Sequence, residues 1–366
     1  MNGCSAKRAV LVSPNAPIEI WDGHVPSPGA GEVLLKTLFG GVCGTDVHLW
    51  KGEVELPGPC ILGHEGIGEI VELGTGVATD FAGTQIKPGD RVYWVPMTPC
   101  GRCHHCTVTK DASSCEEWVA ALFGDAKAPP VATYAQFALL PGRMPFYRIP
   151  DDTPSEAVIA FGCALPTVLQ AYERIGGIRV GETVLVQGSG PVGLAATLVA
   201  SMCGASQVIV IGTPARRLDY ARRIGATEVI DLGIETTVAG RREGVLALTG
   251  GRGADLVFEA AGVVPAFAEG LELIAKGGRY VVVGLWSAPG SVAVEPRVLN
   301  NRNLTIAGSA LFQARHVRQA IGVAQKCHRQ MPMAEAVTHR FELKDAEIAL
   351  SMVSRLETIK AVIVPN

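Results

Sequence analysis

Three residues of the kind that bind zinc stand far apart in this chain. Cys43 lies in Gly41-Val42-Cys43-Gly44-Thr45-Asp46-Val47-His48, His64 in Gly63-His64-Glu65-Gly66, and Cys163 in Phe161-Gly162-Cys163-Ala164. Two thiolates and one imidazole hold a zinc ion with a fourth position open, the arrangement of a catalytic metal rather than a structural one. Downstream, Gly188-Ser189-Gly190-Pro191-Val192-Gly193 reads G-x-G-x-x-G, directly after the apolar β-run Thr183-Val184-Leu185-Val186-Gln187 and before a helical segment. In that context Gly188 allows the tight turn and Gly190 lets the backbone approach a pyrophosphate. Gly193 lets helix and strand pack closely, while Pro191 and Val192 open the helix whose N-terminus faces the phosphates. Zinc has no redox chemistry of its own, so the two features together point to hydride transfer through a dinucleotide.

The second β-run of this region ends unusually. Folds that bind NAD end that strand with Asp or Glu, which holds the adenosine ribose hydroxyls. Here the run is Ile211-Gly212-Thr213-Pro214-Ala215-Arg216-Arg217, with Gly212 in the acid's place. Without the carboxylate a 2′-phosphate meets no repulsion, and Arg216 or Arg217 offers it positive charge. The pattern favours NADP, with NAD left open should the arginines be solvated residues at a helix start.

The elements that must position these groups fall into two kinds. Residues 30–95 carry short apolar runs punctuated by Gly and Pro, Val33–Lys36 and Gly68–Leu73 among them, and predict a β-rich region without a long helix. Residues 96–130 read as a loop excursion holding Cys100, Cys103, Cys106 and Cys115. From about 155 the pattern changes. A helix over Ala157–Arg174, started or kinked by Pro166, precedes β-runs at 183–187, 208–211, 229–231, 255–258 and 280–284 that alternate with helical segments. This is the pattern of a doubly wound parallel sheet, an α/β class. Helices over His316–Lys326 and Lys344–Arg355 and a closing strand Ala361–Val364 return to complete the first domain. The expected division is therefore 1–157 with 310–366 against 158–309.

Composition limits the alternatives. A net charge of −3 argues against nucleic acid or an anionic membrane as partner. Neither a signal peptide at Met1–Val12 nor an apolar run of roughly 18 residues is present, so the expected compartment is the cytoplasm. In such a chain ten cysteines are better read as metal-binding than as disulfides, with Cys4, Cys60, Cys203 and Cys327 as incidental thiols.

With the Gly-His-Glu motif, the four-cysteine lobe, the glycine loop and this domain order in hand, nearly the whole chain resembles the medium-chain zinc-dependent alcohol dehydrogenases, which include sorbitol, threonine and secondary-alcohol dehydrogenases. The resemblance implies a β-rich GroES-like catalytic domain beside a Rossmann coenzyme domain. It implies two zinc ions per subunit: a catalytic ion on Cys43, His64 and Cys163, and a structural ion on Cys100, Cys103, Cys106 and Cys115. His104 and His105 are neighbours of the lobe rather than ligands. Thr45 takes the substrate hydroxyl proton, His48 relays it, Asp46 orients the loop or coenzyme, and Glu65, counted with the catalytic residues, lies close behind the metal to tune it or replace a water as a transient ligand, a simple salt-bridging role being left open. The implied reaction is reversible oxidation of an alcohol, secondary or cyclic by resemblance, to a ketone or aldehyde with NAD or NADP. A homodimer or homotetramer acting on a small-molecule alcohol or carbonyl is expected. Trp50, Trp94, Phe123 and Trp286 are candidates for an apolar pocket, each equally well explained as core or interface. A lyase or epimerase that oxidises its substrate transiently with bound coenzyme remains open, whereas a zinc-free enone reductase would lack the metal residues.

Overall fold

The computed structural model describes residues 4–95, 97–118, 123–287 and 289–366. The chain divides into two compact units, Met1–Cys163 with Gln313–Asn366, and Ala164–Phe312. The first boundary falls after Cys163 rather than at 157, because helix Ser155–Ile159 packs on helix Ala314–Cys327 and on the turn Met333–Ala336 of the same unit.

The first unit is built on a seven-stranded sheet in the order Val337–Glu342, Lys360–Val364, Val33–Val42, Gly66–Leu73, Arg91–Trp94, Phe146–Arg148, with Phe137–Leu140 paired to Val33–Val42. The C-terminal strand runs antiparallel to the long strand, Ala361 opposite Val42. A four-stranded sheet, Ile18–Val25, Cys4–Leu11, Cys60–Ile61, Gly124–Asp125, lies in the same unit. Its core joins Val10, Leu11, Leu49, Ile61, Leu62 and Tyr134 to Leu350 and Ile363 from the chain's end. That shared apolar burial is what draws the last residues back to the first ones.

In the second unit six parallel strands carry the coenzyme motif: β1 (Thr183–Gln187), β2 (Gln207–Gly212), β3 (Glu228–Asp231), β4 (Ala254–Glu259), β5 (Ile274–Val282) and β6 (Thr305–Gly308). Their order is β3-β2-β1-β4-β5-β6, all neighbours parallel. This is the Rossmann order. β1 is buried at every position, as its unbroken apolar run requires of a strand covered on both faces.

One expectation needs correction, and one short element is added to another. The helix expected over Ala157–Arg174 is two, Ser155–Ile159 and Ala164–Arg174. Between them Gly162 takes φ +51, and a Cβ there would fall 2.1 Å from the Glu65 carboxylate carbon, so the chain breaks to make room for that side chain. Residues 30–95 also contain an unexpected short helix, Gly44–Trp50, on the Cys43 motif. No helix among the described residues is long and apolar enough to cross a membrane.

Candidate active site

The Cys43 motif becomes a helix start because Asp46 makes it one. This fully buried carboxylate accepts the backbone N–H of Cys43 at 2.9 Å through Oδ2 and that of Gly63 at 3.0 Å through Oδ1. One carboxylate thus fixes the backbone at Cys43 and at the residue before His64, two positions twenty residues apart in sequence. Cys163 is delivered by the break at Gly162. The side-chain donors of Cys43, His64, Glu65 and Cys163 then lie within 4.8 Å of one another.

The chemistry of this cluster fits a divalent cation. Cys43 and Cys163 place their sulfurs 3.6 Å apart. The contact with Cys163 pulls the Cys43 thiol well below its ordinary pKa, and the same contact with burial pushes Cys163 well above it. His64 is buried; its Nδ1 lies 3.3 Å from Asp46 Oδ1 without aligning on it, and neither ring nitrogen completes a hydrogen bond. Burial alone would lower the His64 pKa, but Asp46 and Cys43 raise it well above the usual value. A buried imidazole whose ring nitrogens complete no hydrogen bond, beside two sulfurs in contact, is an unsatisfied arrangement that zinc would relieve.

Glu65 differs from these three. Its Oε1 accepts the backbone N–H of Cys163 at 2.8 Å, and its Oε2 pairs with Lys360 Nζ. Both side chains are only 1% exposed. Burial alone would raise the Glu65 pKa, yet Lys360 and His64 hold it below the usual carboxylate range, and Lys360 is raised in turn. With both oxygens committed, Glu65 sits against the cluster as an ion-paired brace. Lys360, which also donates to Val42 O at 3.2 Å, was missed in the sequence. The signal was a lone lysine opening the apolar strand Lys360–Val364.

Helix Gly44–Trp50 sets the next two residues. Thr45 Oγ1 lies 3.7 Å from Cys43 Sγ. His48, three residues on, shares that helix face with Thr45. Its Nδ1 is hydrogen-bonded to Glu53, a second residue the sequence reading missed.

Cys100, Cys103, Cys106 and Cys115 form a separate group, their sulfurs also within 4.8 Å of one another. Backbone N–H groups of Arg102 and Cys103 donate to Cys100 Sγ at 3.5 and 3.3 Å, and that of Cys100 to Cys115 Sγ at 3.3 Å. Such donors stabilise thiolates, as a four-sulfur zinc site needs. His104 and His105 lie outside the group, with His105 Nε2 3.4 Å from Glu116.

The glycine loop has the geometry expected of a phosphate cradle. Gly188 takes φ +104, with the Ala260 carbonyl oxygen 2.5 Å from where a Cβ would stand. A Cβ on Gly193 would meet the Gly188 carbonyl at 1.9 Å, whereas one on Gly190 would meet nothing within 4 Å. The backbone at Gly190 therefore opens outward. Gly190 caps helix Pro191–Met202, and Gly190, Pro191 and Val192 are part-exposed. Nearby, the buried Glu259 carboxylate accepts backbone N–H groups of Ala261, Gly262 and Gly284 at 2.8 Å each, tying the loops after β4 and β5 together.

At the end of β2, Gly212 is buried and Thr213 exposed. Arg216 is exposed but Arg217 is only 4% exposed, because Arg217, Leu218, Tyr220 and Ala221 form the inward face of helix Ala215–Arg223. Burial and the charge of Arg216 push the Arg217 guanidinium down to about 10. Only Arg216 of the pair is offered to solvent. Of the aromatic candidates, Trp94 takes the core alternative, fully buried with its indole N–H on Val131 O at 3.0 Å, while the part-buried Trp50 and Phe123 pack on the first unit's core. The Trp286 side chain lies outside the described residues.

Comparison with known proteins agrees with this arrangement. A family profile described as an alcohol dehydrogenase GroES-like domain matches residues 29–151, and one described as a zinc-binding dehydrogenase matches residues 191–326. The chain is 46% identical over 360 residues to a 5-exo-hydroxycamphor dehydrogenase of Pseudomonas putida, covering 98% of each. Among solved structures it resembles an alcohol dehydrogenase from Thermotoga maritima, with a TM-score of 0.92, 30% identity and all of both chains covered. A Sinorhizobium meliloti protein described as a zinc-binding dehydrogenase bound to NADP gives a TM-score of 0.84 at 27% identity, covering 99% of this chain and 100% of that one.

Proposed function

The chain belongs to the medium-chain zinc-dependent alcohol dehydrogenase family, and on that premise we propose that it oxidises a cyclic secondary alcohol reversibly to the ketone, with NADP as the preferred coenzyme. The observation that carries the proposal is the cluster of Cys43, His64 and Cys163 with the Thr45 hydroxyl beside it. The substrate class follows the relative named for a hydroxycamphor, and transient oxidation by a lyase or epimerase draws no support from these relatives.

Cys43, His64 and Cys163 would hold the catalytic zinc, and Cys100, Cys103, Cys106 and Cys115 a structural one. When bound, zinc supplies Lewis acidity and the nicotinamide a hydride acceptor, which no side chain here provides. The chain's own residues handle position and protons. Thr45 presents a hydroxyl next to the metal residues and accepts the substrate's hydroxyl proton. His48, on the same helix face, takes that proton onward. Because Glu53 accepts from His48 Nδ1, the proton enters at Nε2. Glu65, fixed by Lys360 and the Cys163 backbone, holds the loop that carries Cys163. Gly188, Gly190, Pro191, Val192 and Gly193 receive the pyrophosphate. Gly212, Thr213 and the exposed Arg216 flank the ribose, with the buried Arg217 adding positive charge from the same helix. We extend the proposal to a cytoplasmic homodimer or homotetramer, for which light scattering of the purified protein is the check.

The deciding experiment is coenzyme reduction with cyclic secondary, acyclic secondary and primary alcohols, each with NADP and NAD. Cyclic secondary alcohols should exceed primary ones in kcat/KM by about tenfold or more. Preference for primary alcohols, or no turnover from protein shown to hold zinc, overturns the proposal.

A further inference from the structure

The coenzyme preference depends on a residue that does not stand where the missing acid would be. Ser189, inside the glycine loop, is 3% exposed and leans across to the end of β2. Its hydroxyl donates to Thr213 O at 2.8 Å and accepts from Thr213 N at 3.0 Å, closing a clasp between the loop and the residue after Gly212. A Cβ built on Gly212 would stand 2.5 Å from Ser189 Oγ, 2.6 Å from Ser189 Cβ and 3.0 Å from Ser189 N. Non-bonded carbon contacts settle at about 3.5–4.0 Å. The first two contacts are therefore collisions with the Ser189 side chain, while the third is a tight approach that a small shift relieves. Ser189 thus fills the volume that a side chain at 212 would need.

We propose that Ser189 is a specificity-determining residue for the coenzyme: by occupying that volume it bars the carboxylate that would grip the ribose hydroxyls and repel a 2′-phosphate. Positions 189 and 212 act as one determinant. A carboxylate is admitted at 212 only once 189 is reduced to glycine, and Thr213, being exposed, then takes water in place of the Ser189 hydroxyl. The inference deepens the NADP reading and rests on it for its direction, but the steric link between the two positions stands apart from that reading.

The test is a set of dissociation constants for NADPH and NADH, read by fluorescence titration of the zinc-loaded protein, for wild type, Ser189→Gly, Gly212→Asp and the double variant. Wild type and Ser189→Gly should both favour NADPH. Gly212→Asp alone should lose about tenfold or more toward both coenzymes, since the new side chain displaces the loop. The double variant should recover NADH binding by about tenfold or more over Gly212→Asp and favour NADH over NADPH. Should Gly212→Asp not fold, the milder Gly212→Ala carries the comparison. Its melting temperature should fall and be largely restored by Ser189→Gly. A Gly212→Asp protein that switches to NADH without help from Ser189→Gly, or a Gly212→Ala defect that Ser189→Gly does not repair, overturns the proposal. Tighter binding of NADH by wild type would instead refute the NADP reading and leave the link between 189 and 212 to be judged by the variants.

Discussion

Lys360→Met is the most informative single change outside the metal residues themselves. It removes the ammonium while keeping most of the stem's volume, and leaves the Glu65 carboxylate, 1% exposed, without its cation. The Cys163 N–H at 2.8 Å still holds the other oxygen, but one neutral donor does not replace a buried counter-charge. Breaking a buried ion pair by removing one partner costs about 3–5 kcal/mol. At about 2–4 °C per kcal/mol for a unit of this size, the melting temperature should fall by roughly 6–20 °C. The double change Lys360→Met with Glu65→Gln should recover about 1–3 kcal/mol relative to the sum of the single changes, because the buried charge is gone. The assay is calorimetry at one scan rate on protein whose zinc content has been measured, so that lost metal is not mistaken for a lost ion pair. A Lys360→Met protein melting within about 2 °C of wild type, or a double variant whose loss equals the sum of the two single losses, would refute the reasoning.

Three further outcomes follow from the geometry. Asp46→Ala removes two backbone hydrogen bonds to a buried carboxylate, each worth about 1.5–3 kcal/mol, besides that from Tyr134 Oη, and should both destabilise the protein in denaturant titration and lower its zinc occupancy; full occupancy at unchanged stability speaks against Asp46 as organiser of the cluster. Native mass spectrometry should find two zinc ions per wild-type chain and one in Cys100→Ser, whereas a single ion in wild type removes the two-site assignment. Glu53→Gln should lower kcat by about 3–10-fold with an unchanged melting temperature, since the His48–Glu53 pair is part-exposed and the loss falls on His48 orientation alone; a comparable fall in melting temperature would show Glu53 to be merely structural.

What could be read in the chain itself was local or tied to residue type. The coenzyme sheet follows from apolar runs that a buried parallel strand requires, and β1 begins and ends where its run does, Thr183–Gln187. Cys43, His64, Cys163 and the four lobe cysteines stand out because few residue types bind zinc, and the glycine loop because few spacings admit a phosphate. Tertiary structure decided the rest. Lys360 is 295 residues from Glu65, and their pairing depends on the last strand lying beside Val33–Val42. The break at Gly162 was missed, and the choice between alternatives at Trp94 and between Arg216 and Arg217 stayed open, because burial depends on what packs above a residue, not on its chain neighbours. Gly212 shows the same limit: its identity suggested a missing acid, but its close approach to Ser189, with Oγ 2.5 Å from where a Cβ would stand, exists only in the fold. Periodicity and side-chain chemistry act over a few residues and survive in sequence. Excluded volume and the pairing of buried charges act between residues distant in the chain, and exist only once the fold has brought them together.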